Sequence, residues 1–150
     1  MITDRTREDV ERAKQIRMEK IQKFIALSDE EKEILTRGSI TIDTLNRIEI
    51  KQEEVKNKLF DIGYSVSRLV NKTDWEVGDF FMREDLERVV ENNAILRNAF
   101  YVFSDTPWGA EARYYYEDFN NIEKILVDLE KMLEIVKKHA RECDTFFCGE

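Results

Sequence analysis

Proline occurs once and glycine five times in this 150-residue chain, and with 37% charged residues that scarcity leaves little material for tight β turns and predicts long helices. Histidine is just as rare. The single one, His139, leaves a catalytic triad or a histidine general acid with one possible participant. Gly-rich phosphate loops, HExxH and Glu-x-x-His pairs are missing, which removes phosphate cradling and di-iron carboxylate chemistry and leaves no expected cofactor. No apolar run approaches the roughly 18 residues of a bilayer span, and the polar opening "MITDRTREDVERAK" is unlike a secretory leader. A soluble chain, intracellular when made and without membrane insertion, is the expectation. Clustered Lys and Arg are also lacking: the net charge is −8, and a nucleic-acid partner is not expected.

The two cysteines, Cys143 and Cys148, would close only a short loop if bridged, so they are read as reduced. His139, Cys143 and Cys148 form a three-ligand metal candidate, the first two one helical turn apart. A structural zinc site normally takes four ligands, and Glu142 or Asp144 would have to supply the last. Packing of small thiols is the preferred reading. A dipole role at a helix C-terminus is preferred for His139.

What is present is apolar periodicity. Hydrophobic residues at 42%, 11% of the chain being aromatic, suffice for one core, so residues 1–150 are expected to form one domain. From Asp4 to Leu27, Val10, Ala13, Ile21 and Phe24 share a stripe, with Thr3 or Asp4 as cap. "LSDEEKEIL" then places Ser28 three residues before Glu31, a capping box that starts a short helix ending near "TRGS". Leu45, Ile48, Gln52, Val55, Leu59 and Ile62 follow steps of three and four, with Gly63 as the stop. Leu86, Val89, Asn93, Leu96, Phe100 and Phe103 repeat the pattern until Pro107 and Gly109 break it. Phe119, Ile122, Leu126, Leu129, Leu133, Val136 and Ala140 form the longest seam, and Asp128, Glu130 and Lys131 are assigned to its other faces. The predicted fold is all-α: a bundle of about four main helices with one or two short ones and an irregular aromatic connector before the third main helix.

Within this frame several residues are singled out. Asn93 interrupts an apolar seam and is expected to bond backbone or the amides of Asn120 and Asn121, fixing the register of two helices. Tyr114, Tyr115 and Tyr116 stand at a helix entrance, where amphipathic rings close a core or line an interface. Trp75 and Phe80, read with the tyrosines as interface candidates, lie among Asp74, Glu76, Asp79, Glu84 and Asp85. Such a cluster suits helix capping beside a core better than a pair of sugar-cleaving carboxylates. Residues 141–150 are read as a docking tail: in an extended chain Phe146 and Phe147 point to opposite sides, so one ring is expected on its own bundle and the other on a neighbouring subunit.

Several pieces in the same order along the chain resemble a family of small helical proteins and N-terminal fibre modules encoded among the tail genes of phages that infect Gram-positive bacteria. They are "ITDRTREDV", "DTLNRIE" from Asp43 to Glu49, Trp75 followed by "MREDLERVVENNAILRNAF", "YYYEDFNNIEKIL" and the terminal "FCGE". The matching positions are Asp43, Leu45, Asn46, Arg47 and Glu49, then Trp75, Leu86, Asn93, Leu96 and Arg97, then Tyr116, Glu117, Asn120, Asn121, Ile122 and Glu123. The chain departs from the pattern in lacking a proline after Trp75 and in carrying Phe119 where many relatives have alanine. The resemblance implies a virion structural protein of the distal tail, baseplate or fibre region. It would be made and assembled in the host cytoplasm, act without catalysis, and have other phage tail proteins and further copies of itself as partners. The alternative is an acidic helical regulator or adaptor that binds a host protein, which a contiguous acid-only face would favour. An enzyme built on the Trp75 region comes third.

Overall fold

The computed structural model describes residues 1–66 and 68–146, with side chains described through residue 140. Among them lie five α-helices and no strand: α1 (Arg7–Glu19), α2 (Asp29–Gly38), α3 (Ile42–Asp61), α4 (Arg83–Ala99) and α5 (Tyr116–Phe146), with a 3-10 turn at Ile21–Lys23. None of these helices is long and apolar enough to cross a membrane.

Only α3, α4 and α5 build the central core. Ile48, Val55 and Leu59 of α3, Leu86, Val89 and Leu96 of α4, and Phe119 to Leu133 of α5 interlock as one apolar cluster that takes in no residue of α1 or α2. The fold is the expected all-α bundle, with four main helices (α1, α3, α4 and α5) and a short α2 and 3-10 turn; within it α1 pairs with α2 as a hairpin beside the core of α3 to α5. The reason lies in the stripe of α1, where Ala13 alone is buried and a small side chain allows close approach but little burial. Its partner is Gly38 on α2, where an added Cβ would stand 2.0 Å from the Asp9 carbonyl oxygen and 2.7 Å from the Ala13 Cβ. Only a residue without a side chain permits that crossing.

Helix ends follow local chemistry. Ser28 and Glu31 form the expected box at α2, and Gly63, at φ 89°, ends α3 with Tyr64 N–H bonded to the Leu59 carbonyl. α1 is shorter than predicted at both ends. Its cap is Thr6, which exchanges hydrogen bonds with Asp9, because the preceding residues are held elsewhere. At the other end Ile25 N–H reaches Lys20 O and Phe24 N–H reaches Ile21 O, a Schellman closure with phenylalanine where glycine is usual. Phe24 adopts φ 55°, ψ 34°, a left-handed conformation that costs a residue with a Cβ about 1–2 kcal/mol. Its ring is 98% exposed, so Ile21 and Phe24 do not extend a core stripe. α4 stops at Ala99, with Phe100 in extended backbone yet still in the core. α5 continues to Phe146, roughly 46 Å at 1.5 Å per residue, so His139 lies two turns before its end and not at a C-terminal cap. Seam residues are buried as far as Leu133.

Candidate functional site

The irregular segments are fastened to the bundle by carboxylates buried on α3 and α5. Glu49, fully buried, sits one residue beyond the core residue Ile48. Its Oε1 accepts from Trp75 Nε1 at 2.9 Å and Arg88 Nη2 at 3.1 Å, while Oε2 accepts from Lys72 N–H at 2.6 Å and from Arg88 Nη1. Asn46, one turn earlier, holds Trp75 by its backbone: the side-chain amide donates to Trp75 O at 3.0 Å and its oxygen accepts from Trp75 N–H at 2.9 Å. Lys72 Nζ lies 4.1 Å from the centre of the indole ring. Asn92 donates to Val70 O and Asn71 Oδ1, both at 2.8 Å. Among its described residues the α3–α4 connector thus has no helix of its own, and the stretch from Val70 to Trp75 is fastened to α3 and α4 at several points.

α5 repeats the device. Glu123, also fully buried, accepts from Arg5 Nη2 at 2.6 Å, Arg47 Nη2 at 2.9 Å and the Ile2 backbone N–H. Asn120 grips the Arg5 backbone from both sides, accepting its N–H at 3.0 Å and donating to its carbonyl at 2.9 Å. The Asn-on-backbone, Glu-on-cation pairing at Asn120 and Glu123 is the one seen at Asn46 and Glu49. Asp128, expected on an outer face, is buried and accepts from Thr106 Oγ1 at 2.8 Å and Lys124 Nζ at 2.7 Å. Asp118 accepts from Glu111 N–H and Arg113 Nε. Asp118 and Asp128 pin the α4–α5 loop.

These contacts revise the polar seam. Asn93 is buried and takes the backbone alternative, donating to the Ile122 carbonyl at 3.4 Å rather than to the amides of Asn120 or Asn121. Asn120 holds the N-terminal segment, and Asn121 is half-buried on the same helix. The Oδ1 of Asn93 and the Oε1 of its core neighbour Gln52 make no hydrogen bond among the described residues.

The expected interface residues separate into two groups. Trp75 is 5% exposed, so its place in the chain is structural: its N–H is consumed by Glu49 and its ring meets Phe81 edge-on at 5.5 Å. Phe81 in turn meets Tyr114 at 5.9 Å. Phe80 is 84% exposed, and Tyr114 and Tyr115 are about half exposed. The three tyrosines line a cleft of about 670 Å³ between the start of α5, Val10 and Lys14 of α1, and Gly38 to Ile40. The Glu117 carboxylate beside Tyr116 holds that hydroxyl above the ordinary tyrosine range. The acidic residues near Trp75 act as caps and pair members: Asp79 accepts from Glu76 N–H and Lys72 Nζ, and Asp85 accepts from Met82 N–H and Arg88 Nη2. Among the described residues no group of three His, Cys, Asp or Glu side chains is placed to hold a metal. Cys148 and Phe147 lie outside the described residues, as do the side chains of Cys143 and Phe146, so the metal candidate and the docking tail do too.

Two exposed aromatics escaped the pattern. Trp108, 89% exposed, lies under the Arg97 guanidinium, 4.6 Å from its carbon to the ring centre, a pairing set by the fold across the α4–α5 loop. Phe24 was hidden in an apparent helical stripe. No protein-family model, curated protein or solved structure matches the chain.

Proposed function

We propose that the chain is a structural protein of a phage tail or phage-like particle, in the distal tail, baseplate or fibre region, which acts by protein–protein assembly without catalysis. One observation carries the reading: the positions of the resemblance include Asn46, Glu49, Trp75, Asn120 and Glu123, and these residues clamp the connector and the N-terminal segment onto the bundle. A motif made of clamps preserves a shape, which is what an assembly module needs. Phe80, Tyr114 and Tyr115 then stand as exposed rings on a rigid platform, a suitable anchor for neighbouring tail proteins. Ion pairs such as Glu8–Arg12, Asp29–Lys32 and Glu87–Arg83 interleave the two signs along exposed helices, which favours this reading over an acid-faced adaptor.

The test is quantitative mass spectrometry of density-purified particles from a host that encodes the chain. It should co-sediment with tails at a fixed ratio to the other tail proteins. Phe80→Asp with Tyr115→Asp should deplete it from particles while its helical circular dichroism is retained. Recovery only in the soluble fraction, in complex with a host protein, would establish the adaptor alternative.

A further inference from the structure

Residues 1–38 are fastened to the bundle at two places. Of the apolar side chains of residues 1–40, only Met1 and Ile40 pack against the described core of α3 to α5. Met1 belongs to the N-terminal segment that Asn120 and Glu123 hold. Ile40 lies in the link between α2 and α3, where Ser39 (φ −136°, ψ 159°) and Thr41 (φ −109°, ψ 166°) are extended. Between these places α1 and α2 are bound to each other, Ala13 against Gly38 and Lys20 with Glu31 at 2.5 Å. The N-terminal segment belongs to the same unit, because Arg37 of α2 donates to the Asp4 carbonyl at 3.0 Å and pairs with the Asp4 and Asp9 carboxylates, each at 3.1 Å.

The two attachments differ in kind. The link at Ser39–Thr41 is covalent, and a few extended residues at helix ends can absorb the backbone changes of a hinge. The other attachment is a polar latch: Arg5 Nη2 on Glu123 at 2.6 Å, with Asn120 on the Arg5 backbone. Opening it returns the Arg5 and Glu123 side chains, 4% and 0% exposed, to water, and their hydration repays much of the lost ion pair. Opening the apolar seams of α3 to α5 brings no such return. The tyrosine cleft lies across the joint between the two units. Val10, Gly38 and Ile40 form one wall, and Tyr115, Tyr116 and Phe119 form the other, so the cleft exists only while the first unit stays in place.

We infer that residues 1–38 are a releasable flap over the tyrosine cleft, latched by Arg5 on Asn120 and Glu123. When the latch lets go, the flap leaves the bundle at Ser39–Thr41, one wall of the cleft is removed and Phe119 is bared, while α3 to α5 stay folded. The 13 residues of α1 and the 10 of α2 are too few to hold helix by themselves in water. Each opening therefore frees their amides as one unit, which makes the event visible to hydrogen exchange. The flap is a property of the isolated chain, so it stands or falls independently of the tail reading.

Native-state hydrogen exchange of the unaltered chain in low concentrations of urea tests the flap before any residue is changed. Amides of α1 and α2 should share one opening, easier and less urea-dependent than that of α3 to α5. Arg5→Ala with Asn120→Ala should then speed exchange across residues 7–38 at least about tenfold and across α3 and α4 less than about twofold. Hydroxyl-radical footprinting of the same proteins reads the cleft. Phe119, 1% exposed, should be oxidised several-fold faster in the double variant, while Trp75, 5% exposed and held by the other clamp, keeps its protection. Exchange of α1 and α2 in step with α3 to α5 in the unaltered chain would make the molecule one cooperative unit and overturn the inference; so would α1 and α2 opening separately. A double variant with residues 7–38 no faster than the unaltered chain, with Phe119 still protected, or with Phe119 and Trp75 losing protection together, would overturn it as well.

Discussion

Replacing Glu49 by glutamine keeps the shape of the side chain and removes the charge on which four donors converge. Trp75 Nε1 and Arg88 Nη2 share one oxygen, and Lys72 N–H and Arg88 Nη1 share the other. Whichever oxygen becomes the amide nitrogen, one indole or backbone N–H then faces a donor, at about 1–3 kcal/mol for a buried group left unpaired. Breaking a fully buried ion pair costs about 3–5 kcal/mol, but the Arg88 side chain retains 22% of its exposure, so water rescues much of that and about 1 kcal/mol is added. The expected loss is about 2–4 kcal/mol, read by urea unfolding with circular dichroism. Tryptophan fluorescence adds a local probe, because Trp75 is buried while Trp108 already faces solvent. Trp75→Phe removes the indole N–H together with part of the buried ring, a packing loss common to the single and double variants. Since the N–H contacts Glu49 directly, the double variant should lose less than the sum of the two singles by roughly 1 kcal/mol. A loss below about 1 kcal/mol for Glu49→Gln, or additive losses, would refute the clamp as the reason that the connector is ordered.

Leu129 lies fully buried at the middle of the α5 seam, and Leu129→Ala should cost about 2–5 kcal/mol in the same unfolding assay. Gly38→Ala puts a methyl into the Asp9 carbonyl, so the hairpin must open by overpacking worth about 1–3 kcal/mol; amide exchange should accelerate in α1 and α2 and stay slow in α3 to α5. Acid should weaken the chain in a defined direction. The Glu130 carboxyl is held below its ordinary value by the hydrogen bond from Lys58 and then by Lys51, and that of Glu53 by Asn71 and then by Lys56. The unfolded chain therefore takes up these protons first as pH falls through about 4, so the stability they supply is intact above that pH and drains as pH drops through the lower folded values. Urea midpoints measured from pH 7 to pH 3 should stay flat and then decline, and Glu130→Gln should flatten part of the decline.

Helix number and the positions of the three long seams were legible in the sequence, because a helix has a fixed period and local stop chemistry: Ser28 and Glu31 write one start, Gly63 writes one end, and Leu86 to Leu96 and Phe119 to Leu133 can pack only if their three-and-four spacing lies on one face. Periodicity is blind to partners, however. The stripe of α1 reads like the others, yet its small Ala13 meets Gly38 and the helix stays outside the core. Phe24 reads as helical because nothing beside it is glycine, and only the closing hydrogen bonds turn it into solvent. The identities of Asn46, Glu49, Asn120, Glu123 and Asp128 were visible as polar residues next to apolar seams, but whether each meets water or an arginine from far along the chain is a question of three-dimensional proximity. The tertiary structure decided it by bringing Arg5 to Glu123 across 118 residues and Arg88 to Glu49 across 39. Burial next to those cations makes the same carboxylates clamps rather than surface charge, since an acid excluded from water must be paired or the fold does not close.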